Sequence, residues 1–434
     1  MNYEALLAGK RRLPLRIGLA GAGEFGRSFL FRSGRARGIE VIAVADREPG
    51  RAEAAVAHAG LPSGAVAILG DAAELGTLDL DVVVEATGEP EAAARIADSV
   101  LARGKHVAMV TKEADCVIGP ILQAKAAKAG VTCTPVDGDQ PSLLIGLVSR
   151  ARLLGLEVVC AGKAGEFDFV FDAGSGTVSG PYGVVQLAEP ESFWTSRHDR
   201  AVRLPAWPRA TVPDYCELVI VANATGLRPD RATLHAPVAR ALDLPDVFRP
   251  RTDGGLLEAA GAVDMFICLR RPDEASFAGG VFVVVRCDDP ASWRVLKDKG
   301  IPTSDDGRYA LLHNPVHLLG IEAPASILAA VLLDAPAARL RPSFDLLARV
   351  SAPLPAGTPL TVGARHTIAG LEPFIAPAGR VGAGAPVPYY MAAGCRLTRD
   401  AQPGTVLTRA HLAPPPESAL WRLRDEQDDR FFPS

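Results

Sequence analysis

The sequence predicts an α/β protein in three stretches. Residues 1–150 read as a parallel sheet covered by helices, 151–335 as an α+β stretch, and 336–434 as a small β-rich stretch ending in a helix. Three observations carry that expectation. Short, continuously apolar runs alternate with helical stretches through the first third, the pattern of strands buried on both faces. The middle mixes strand-like and helical runs without that regularity. Thirteen of the 35 prolines fall between Pro336 and Pro416, which breaks the last quarter into short strands and turns.

In chain order, the run Leu15–Ala20 ends in Gly21-Ala22-Gly23-Glu24-Phe25-Gly26 and opens the helical stretch Arg27–Arg35. A second run, Glu40–Ala45, ends at Asp46-Arg47 and precedes an Ala-rich helix, Gly50–Ala59. A run at Ala65–Leu69 follows, then the strand Asp81–Glu85 with Thr87-Gly88 just beyond it. The helix Glu91–Arg103 leads to a strand at His106–Thr111, closed by Lys112 and Glu113.

The glycine turn leaves a strand, opens a helix, and is followed 20 residues after Gly26 by an acid at another strand end. That context makes it a dinucleotide-binding signature of the Rossmann type. Gly21 permits the tight turn, Gly23 lets backbone approach a pyrophosphate, and Gly26 lets the helix pack close to its strand. Glu24 and Phe25 lie in the first helical turn, whose free N–H groups face the anion. Asp46 suits an adenine ribose and so NAD; Arg47 and Arg51 suit a 2′-phosphate and so NADP. The residues leave that choice open. Thr87, Gly88 and Glu113 complete the cofactor-binding candidates, at strand ends where the nicotinamide side is met.

Composition narrows the classes. Forty-six basic against 50 acidic residues give a net charge of −4, without the basic footprint of a nucleic-acid binder or a polybasic membrane patch. With 48% hydrophobic and 22% charged residues, global disorder is excluded. No apolar run reaches the roughly 18 residues of a spanning helix; Ser326–Leu333 reads as a buried helix. Lys10, Arg11 and Arg12 lead into Pro14 without the apolar region of a signal peptide. The seven cysteines form no CxxC pair, as expected of buried thiols in a reducing compartment. The expectation is a cytoplasmic protein with a small-molecule substrate, no nucleic-acid or membrane partner, and a homodimeric assembly.

The middle holds the candidates for chemistry. Asp139 lies in the polar turn Val136–Pro141. Lys163, between Gly162 and Gly165 after the strand Glu157–Cys160, reads as an exposed catalytic or anion-binding position. Residues Phe167–Arg209 read as a loop-rich lid or binding excursion with Arg197, His198, Arg200 and Arg203. Glu217, in the apolar helix Tyr215–Ala224, must be paired or perturbed if buried. Asn223 closes that helix. His313 and His317 stand four apart, but Pro315 breaks the helix a metal pair needs, so no metal site is expected and His317 reads as a hydrogen-bonding or proton-transfer group. The tail Leu420–Arg430 reads as a charged surface or subunit-contact helix.

Taken together, these motifs resemble homoserine-dehydrogenase-like oxidoreductases with a C-terminal SAF domain, whose best-known member is the 1-deoxy-D-xylulose 5-phosphate reductoisomerase-like enzyme. The resemblance rests on Gly21–Gly26, Glu113–Asp115 with Gly119-Pro120, Gly138–Pro141, Ala161–Lys163, Glu217 with Val221–Leu227, and Gly279–Val285. It continues in Gly307–Ala310, Pro315 with His317-Leu318, and Gly394–Leu397 through Gly404–Leu407. It implies an NAD(P)-dependent oxidoreductase with a Rossmann domain, an inserted catalytic domain and a SAF module, and it tilts the cofactor toward NADP. Lys112 looks like the lysine that follows the corresponding strand in homoserine dehydrogenases.

The departures concern substrate. Glu166 and Asp168 follow Lys163 where more basic residues are expected, Val212-Pro213-Asp214 stands where a lysine is expected, and Asn314 where an arginine is. Each lost charge-assisted contact weakens a phosphate site by about 1.5–3 kcal/mol; Arg197, Arg200 and Arg203 are the available substitutes. The reading is therefore hydride transfer to or from a small polar hydroxy or oxo compound, possibly unphosphorylated. Lys112 and Lys163 polarise the carbonyl or move its proton, Asp139 and Glu217 orient or relay, and Asn223 and His317 donate hydrogen bonds. One alternative is an NADPH-dependent reductoisomerase of 1-deoxyxylulose 5-phosphate, which would need a divalent metal. Another is a non-catalytic dinucleotide-sensing or carbohydrate-binding protein.

Overall fold

The computed structural model describes residues 2–8, 13–33, 35–62 and 64–433; the basic residues Lys10, Arg11 and Arg12 lie outside the described residues. The chain divides into two compact units, residues 1–142 with 318–434, and residues 143–317.

The first unit begins α1 (Tyr3–Leu7), β1 (Leu15–Ala20), α2 (Glu24–Ser33), β2 (Ile39–Ala45), α3 (Pro49–His58), β3 (Ala67–Leu69) and β4 (Val82–Glu85). It continues α4 (Pro90–Ala102), β5 (His106–Met109), α5 (Lys112–Ala129) and β6 (Cys133–Pro135). The six strands form one sheet in the order β3-β2-β1-β4-β5-β6, parallel throughout. This is the expected Rossmann-type sheet. β4 is wholly buried and β1 nearly so, which is why their sequences run apolar without alternation. Strand order reverses between β1 and β4, and open α/β sheets bind ligands in the crevice at the carboxyl ends of such a pair.

Helix α6 (Gln140–Leu153) leads into the second unit: β7 (Val158–Ala164), β8 (Phe169–Asp172), β9 (Thr177–Gly180), β10 (Gly183–Gln186), α7 (Pro190–Thr195), α8 (Val212–Thr225), β11 (Arg228–Pro229) and β12 (Val238–Ala239). Then follow α9 (Leu244–Val247), β13 (Ala262–Arg270), β14 (Val281–Arg286), α10 (Pro290–Asp298) and β15 (Tyr309–Asn314). Its mixed sheet runs β10-β9-β8-β13-β7-β14-β15, with β11 and β12 also on β13. The expected lid at 167–209 is instead largely built structure. β8, β9 and β10 make an antiparallel meander, and its aromatic residues pair inward, Phe169 edge-on to Trp207 and Phe171 stacked on Trp194. Four-residue strands between glycine turns are too short to show a period, so the sequence reads as loop.

From Leu318 the chain returns to the first unit. There α11 (Ala323–Leu333) buries Ala323, Ile327 and Leu328 in the same core as Phe29, Val44 and Val82. The β-rich stretch holds the hairpin of β16 (Phe344–Val350) and β17 (Leu371–Pro377), then β18 (Arg396–Leu397), β19 (Leu412–Ala413) and α12 (Ala419–Phe431). Ahead of β17, Ile368 makes an isolated antiparallel bridge to Val362. Helix α12 is not a surface helix. Its Arg424 is fully buried between Asp345 and Asp428. Its Gln427 accepts the Ile121 N–H at 3.2 Å and donates to the Val117 carbonyl at 3.0 Å. Those bonds lie beside Pro120, which interrupts the α5 hydrogen-bond ladder.

Candidate active site

The glycine turn has the geometry its sequence asks for. Gly21 takes φ +97°, and a Cβ there would collide with the Ala86 carbonyl. A Cβ at Gly26 would collide with the Gly21 carbonyl oxygen, so the start of α2 lies against the end of β1. Gly23, in contrast, faces open space. Asp46 ties β2 to this turn: its Oδ2 accepts the Ala22 N–H at 2.9 Å and its Oδ1 the Glu48 N–H at 3.0 Å. Each oxygen keeps a second lone pair for a ribose hydroxyl. Arg47, Arg51 and Arg95 line the same cleft, with Asp46, Asp71, Thr87 and Glu89. Glu24 is exposed at the start of α2, whereas the Phe25 ring is buried in the core, so Phe25 serves a cofactor through its backbone alone. Free amides, an open Gly23 and three arginines fit a pyrophosphate-linked dinucleotide.

Farther along the carboxyl edge, Thr87 donates to Glu85 Oε1 through both its N–H (2.9 Å) and its hydroxyl (2.6 Å), and Gly88 N–H donates to Thr111 Oγ1 at 2.9 Å. Lys112 opens α5 and Asp139 precedes α6, at the ends of the neighbouring strands β5 and β6. Lys112 Nζ lies 3.6 Å from Asp139 Oδ2, each side chain 18% exposed. Glu113 is buried, with His366 Nδ1 2.9 Å from its Oε1. Beneath this edge two buried acids lie close together. Burial raises the Glu85 carboxyl above its ordinary range, and burial together with the charge of Glu85 pushes Asp115 up to about 7.

In the second unit, Lys163 differs from expectation. It lies inside β7, between β13 and β14, and is 1% exposed. Its ammonium is 2.6 Å from Asp214 Oδ1 and contacts Glu217 Oε2, both carboxylates equally buried. The strand runs four residues past its expected end, because Gly162 admits the Phe282 ring and the Asp264 carbonyl so closely that a Cβ would collide with both. Glu217 is thus both buried and paired, as its apolar helix demands. Asp214 was not a candidate, yet it is central: its Oδ2 also takes the N–H and hydroxyl of Thr211 in a capping box at the start of α8. The T-x-x-D spacing and the i,i+3 relation to Glu217 are the signals that point to it.

Asn223 is buried six residues beyond Glu217 in α8. His317 Nδ1 is 2.8 Å from the Gly279 carbonyl, which leaves Nε2 for another partner. The three arginines offered as phosphate ligands are already committed. Arg200 is buried on Asp243, Arg197 reaches Asp243, Asp246 and Asp305, and Arg203 meets Glu189 and Asp199. Among the described residues no group of three or more His, Cys, Asp or Glu side chains is placed to hold a metal ion. Likewise, none of the described helices is long and apolar enough to cross a membrane.

Two family models match the chain. Residues 21–134 match the NAD-binding domain of homoserine dehydrogenase, and residues 138–323 match the catalytic domain of oxidoreductase DRL. No curated protein matches. Among solved structures, a probable dehydrogenase from Thermotoga maritima aligns over 74% of this chain and 90% of its own at 14% identity, TM-score 0.40. An oxidoreductase from Agrobacterium radiobacter, solved with NAD+, L-tartaric acid and magnesium, aligns over 38% of this chain and 47% of its own at 19% identity, TM-score 0.29. Biliverdin reductase from Synechocystis sp. PCC 6803, solved with biliverdin and NADP+, aligns over 36% and 48% at 21% identity, TM-score 0.27. The chain thus spans about half the length of the first structures it matches, and similarity this low carries no functional argument. Neither family match speaks for the reductoisomerase alternative. Together they show an NAD-binding Rossmann-type domain followed by a stretch that matches an oxidoreductase catalytic domain.

Proposed function

We propose that this enzyme transfers a hydride between NADP and a small, polar, unphosphorylated hydroxy or oxo compound. The observation that carries the reading is the open Gly23 turn facing a cleft with Arg47, Arg51 and Arg95, on the sheet edge that also holds Lys112 and Asp139. The dinucleotide, when bound, supplies or accepts the hydride. The chain's part is positioning and proton movement. Gly21, Gly23 and the amides of Glu24, Phe25 and Gly26 hold the pyrophosphate; Asp46 orients the ribose; Arg47 meets the 2′-phosphate. Thr87, Gly88 and Glu113 shape the nicotinamide side.

Lys112, partly exposed and steadied by Asp139, is assigned as the group that polarises the carbonyl and moves its proton. Lys163, with Glu217, Asn223 and His317, is assigned to the substrate side of the catalytic domain. The commitment of Arg197, Arg200 and Arg203 to carboxylates supports an unphosphorylated substrate, since a phosphate there would have to displace existing ion pairs. Residues 1–150, 151–335 and 336–434 are assigned as cofactor-binding, catalytic and SAF-like modules of a cytoplasmic homodimer. Seven buried free thiols agree with a reducing compartment.

Fluorescence titration with NADPH and NADH tests this reading. NADPH is expected to bind more tightly, and the Arg47→Ala/Arg51→Ala double variant to lose tenfold or more in NADPH affinity while NADH affinity stays within twofold. Failure of the wild-type protein to bind either nucleotide would overturn it. Oxidation of bound NADPH on adding 1-deoxyxylulose 5-phosphate would replace the substrate assignment with the reductoisomerase.

A further inference from the structure

His366 is carried by a turn that is unfavourable in itself. Arg365 and His366 are consecutive non-glycine residues in the left-handed region, at φ +54° and +55°, a conformation that persists only where the surroundings enforce it. The surroundings hold the turn in place. The Tyr390 hydroxyl donates to the His366 carbonyl at 3.2 Å, and the Tyr389 hydroxyl accepts the Ile368 N–H at 2.8 Å. The two tyrosine rings are buried edge-to-face, 5.1 Å apart. Gly363 N–H donates to the Thr367 carbonyl at 2.7 Å, closing the loop at its base.

This strained turn delivers one imidazole to the carboxyl edge of the Rossmann sheet. Its Nδ1 meets the buried Glu113, and its Cε1 stands 3.6 Å from where a Cβ on Gly88 would lie. Gly88 and Glu113 follow β4 and β5, and the adjoining Thr87 and Glu89 line the cofactor cleft. We infer that the C-terminal stretch is a working part of the dinucleotide site, in which His366 compensates Glu113 and closes the Gly88 end of the cleft. The inference rests on the proposed binding of a dinucleotide there.

The electrostatics give the reason. Glu113 is a nearly inaccessible carboxylate beside a site for an anionic cofactor, and an uncompensated charge there repels it. The charged groups acting on the imidazole are Glu113, Glu89 and Lys112. The adjoining Glu113 carboxylate holds His366 protonated to higher pH than an ordinary histidine, against burial and Lys112. A histidine that only pins the C-terminal stretch in place would affect melting temperature and leave the pH dependence of cofactor binding alone.

The test is the Kd for NADH across pH 6–9 in wild type, His366→Ala and His366→Gln, each with a thermal melt. Wild-type affinity is expected to weaken as pH climbs past the ordinary histidine range and the imidazole loses its proton. At pH 6.5 the alanine variant is expected to bind tenfold more weakly, a change of about 1.4 kcal/mol. Both variants are expected to lose the pH dependence while staying folded. Equal Kd and equal pH profiles in wild type and variants would overturn this inference alone. A wild-type protein that binds neither NADH nor NADPH would overturn the dinucleotide reading and this inference with it.

Discussion

Two lysines in this chain each face carboxylates, and their surroundings differ. Lys112 meets Asp139 at 3.6 Å with both side chains 18% exposed, at loop-to-helix junctions. Lys163 meets Asp214 and Glu217 inside a central strand, all three nearly inaccessible. The first pair remains partly hydrated, so its ammonium can exchange partners and protons at modest cost. In the second group three charges have left water, and they are tolerable there only because they satisfy one another. The same residue types therefore make a reachable group in one place and a structural commitment in the other. Any chemistry at Lys163 has to act through a network that also holds the fold.

The largest effect is expected at Lys163. Lys163→Met strips the buried cation from two carboxylates and should cost about 3–5 kcal/mol of stability, read by urea denaturation. The triple variant Lys163→Met/Asp214→Asn/Glu217→Gln removes the charges together and should recover much of that loss. If activity returns with stability, Lys163 is structural; if the restored fold stays at least 100-fold slower, its role in turnover stands. A Lys163→Met protein as stable as wild type would erase the contrast between the two lysines.

Lys112→Ala tests the other side. Turnover is expected to fall about 100-fold, with the denaturation midpoint nearly unchanged, because a partly hydrated ion pair at this separation contributes at most about 1 kcal/mol. A stability loss as large as that of Lys163→Met would show that the exposed pair is also a structural element.

The smallest effect concerns Asp115, beneath the same sheet edge. Its folded pKa, about 7, lies above the ordinary carboxyl value. The folded state therefore holds the proton more tightly than the unfolded chain. The stabilisation is fully present below about pH 4, declines as pH rises, and is gone above about pH 7. Asp115→Asn should raise stability at pH 8, with the gain vanishing toward pH 4. Melting curves at the two pH values check this, and a gain independent of pH would remove the titration as its cause.

What could be read from the chain alone follows from where the decisive interactions lie. The turn Gly21–Gly26, the acid at Asp46 and the alternation of apolar runs are local. Each is imposed by a backbone collision, a helix terminus or burial on both faces within a few residues, so the sequence determined the parallel sheet and the glycine turn at its carboxyl edge. The neighbours of Lys163 and His366 are not local. The pairing of Lys163 with Asp214 and Glu217 joins positions about 50 residues apart, and a glycine-flanked lysine looks the same in a loop as in a central strand. Helix α12 reads as a charged surface helix because Arg424 has no apolar signature; only its docking on Asp345 shows that it is buried. The meeting of His366 with Glu113 depends on the last quarter of the chain folding back onto the first. No local period or spacing records such an encounter; the tertiary structure alone decided it, because long-range ion pairs are selected by packing rather than by sequence distance.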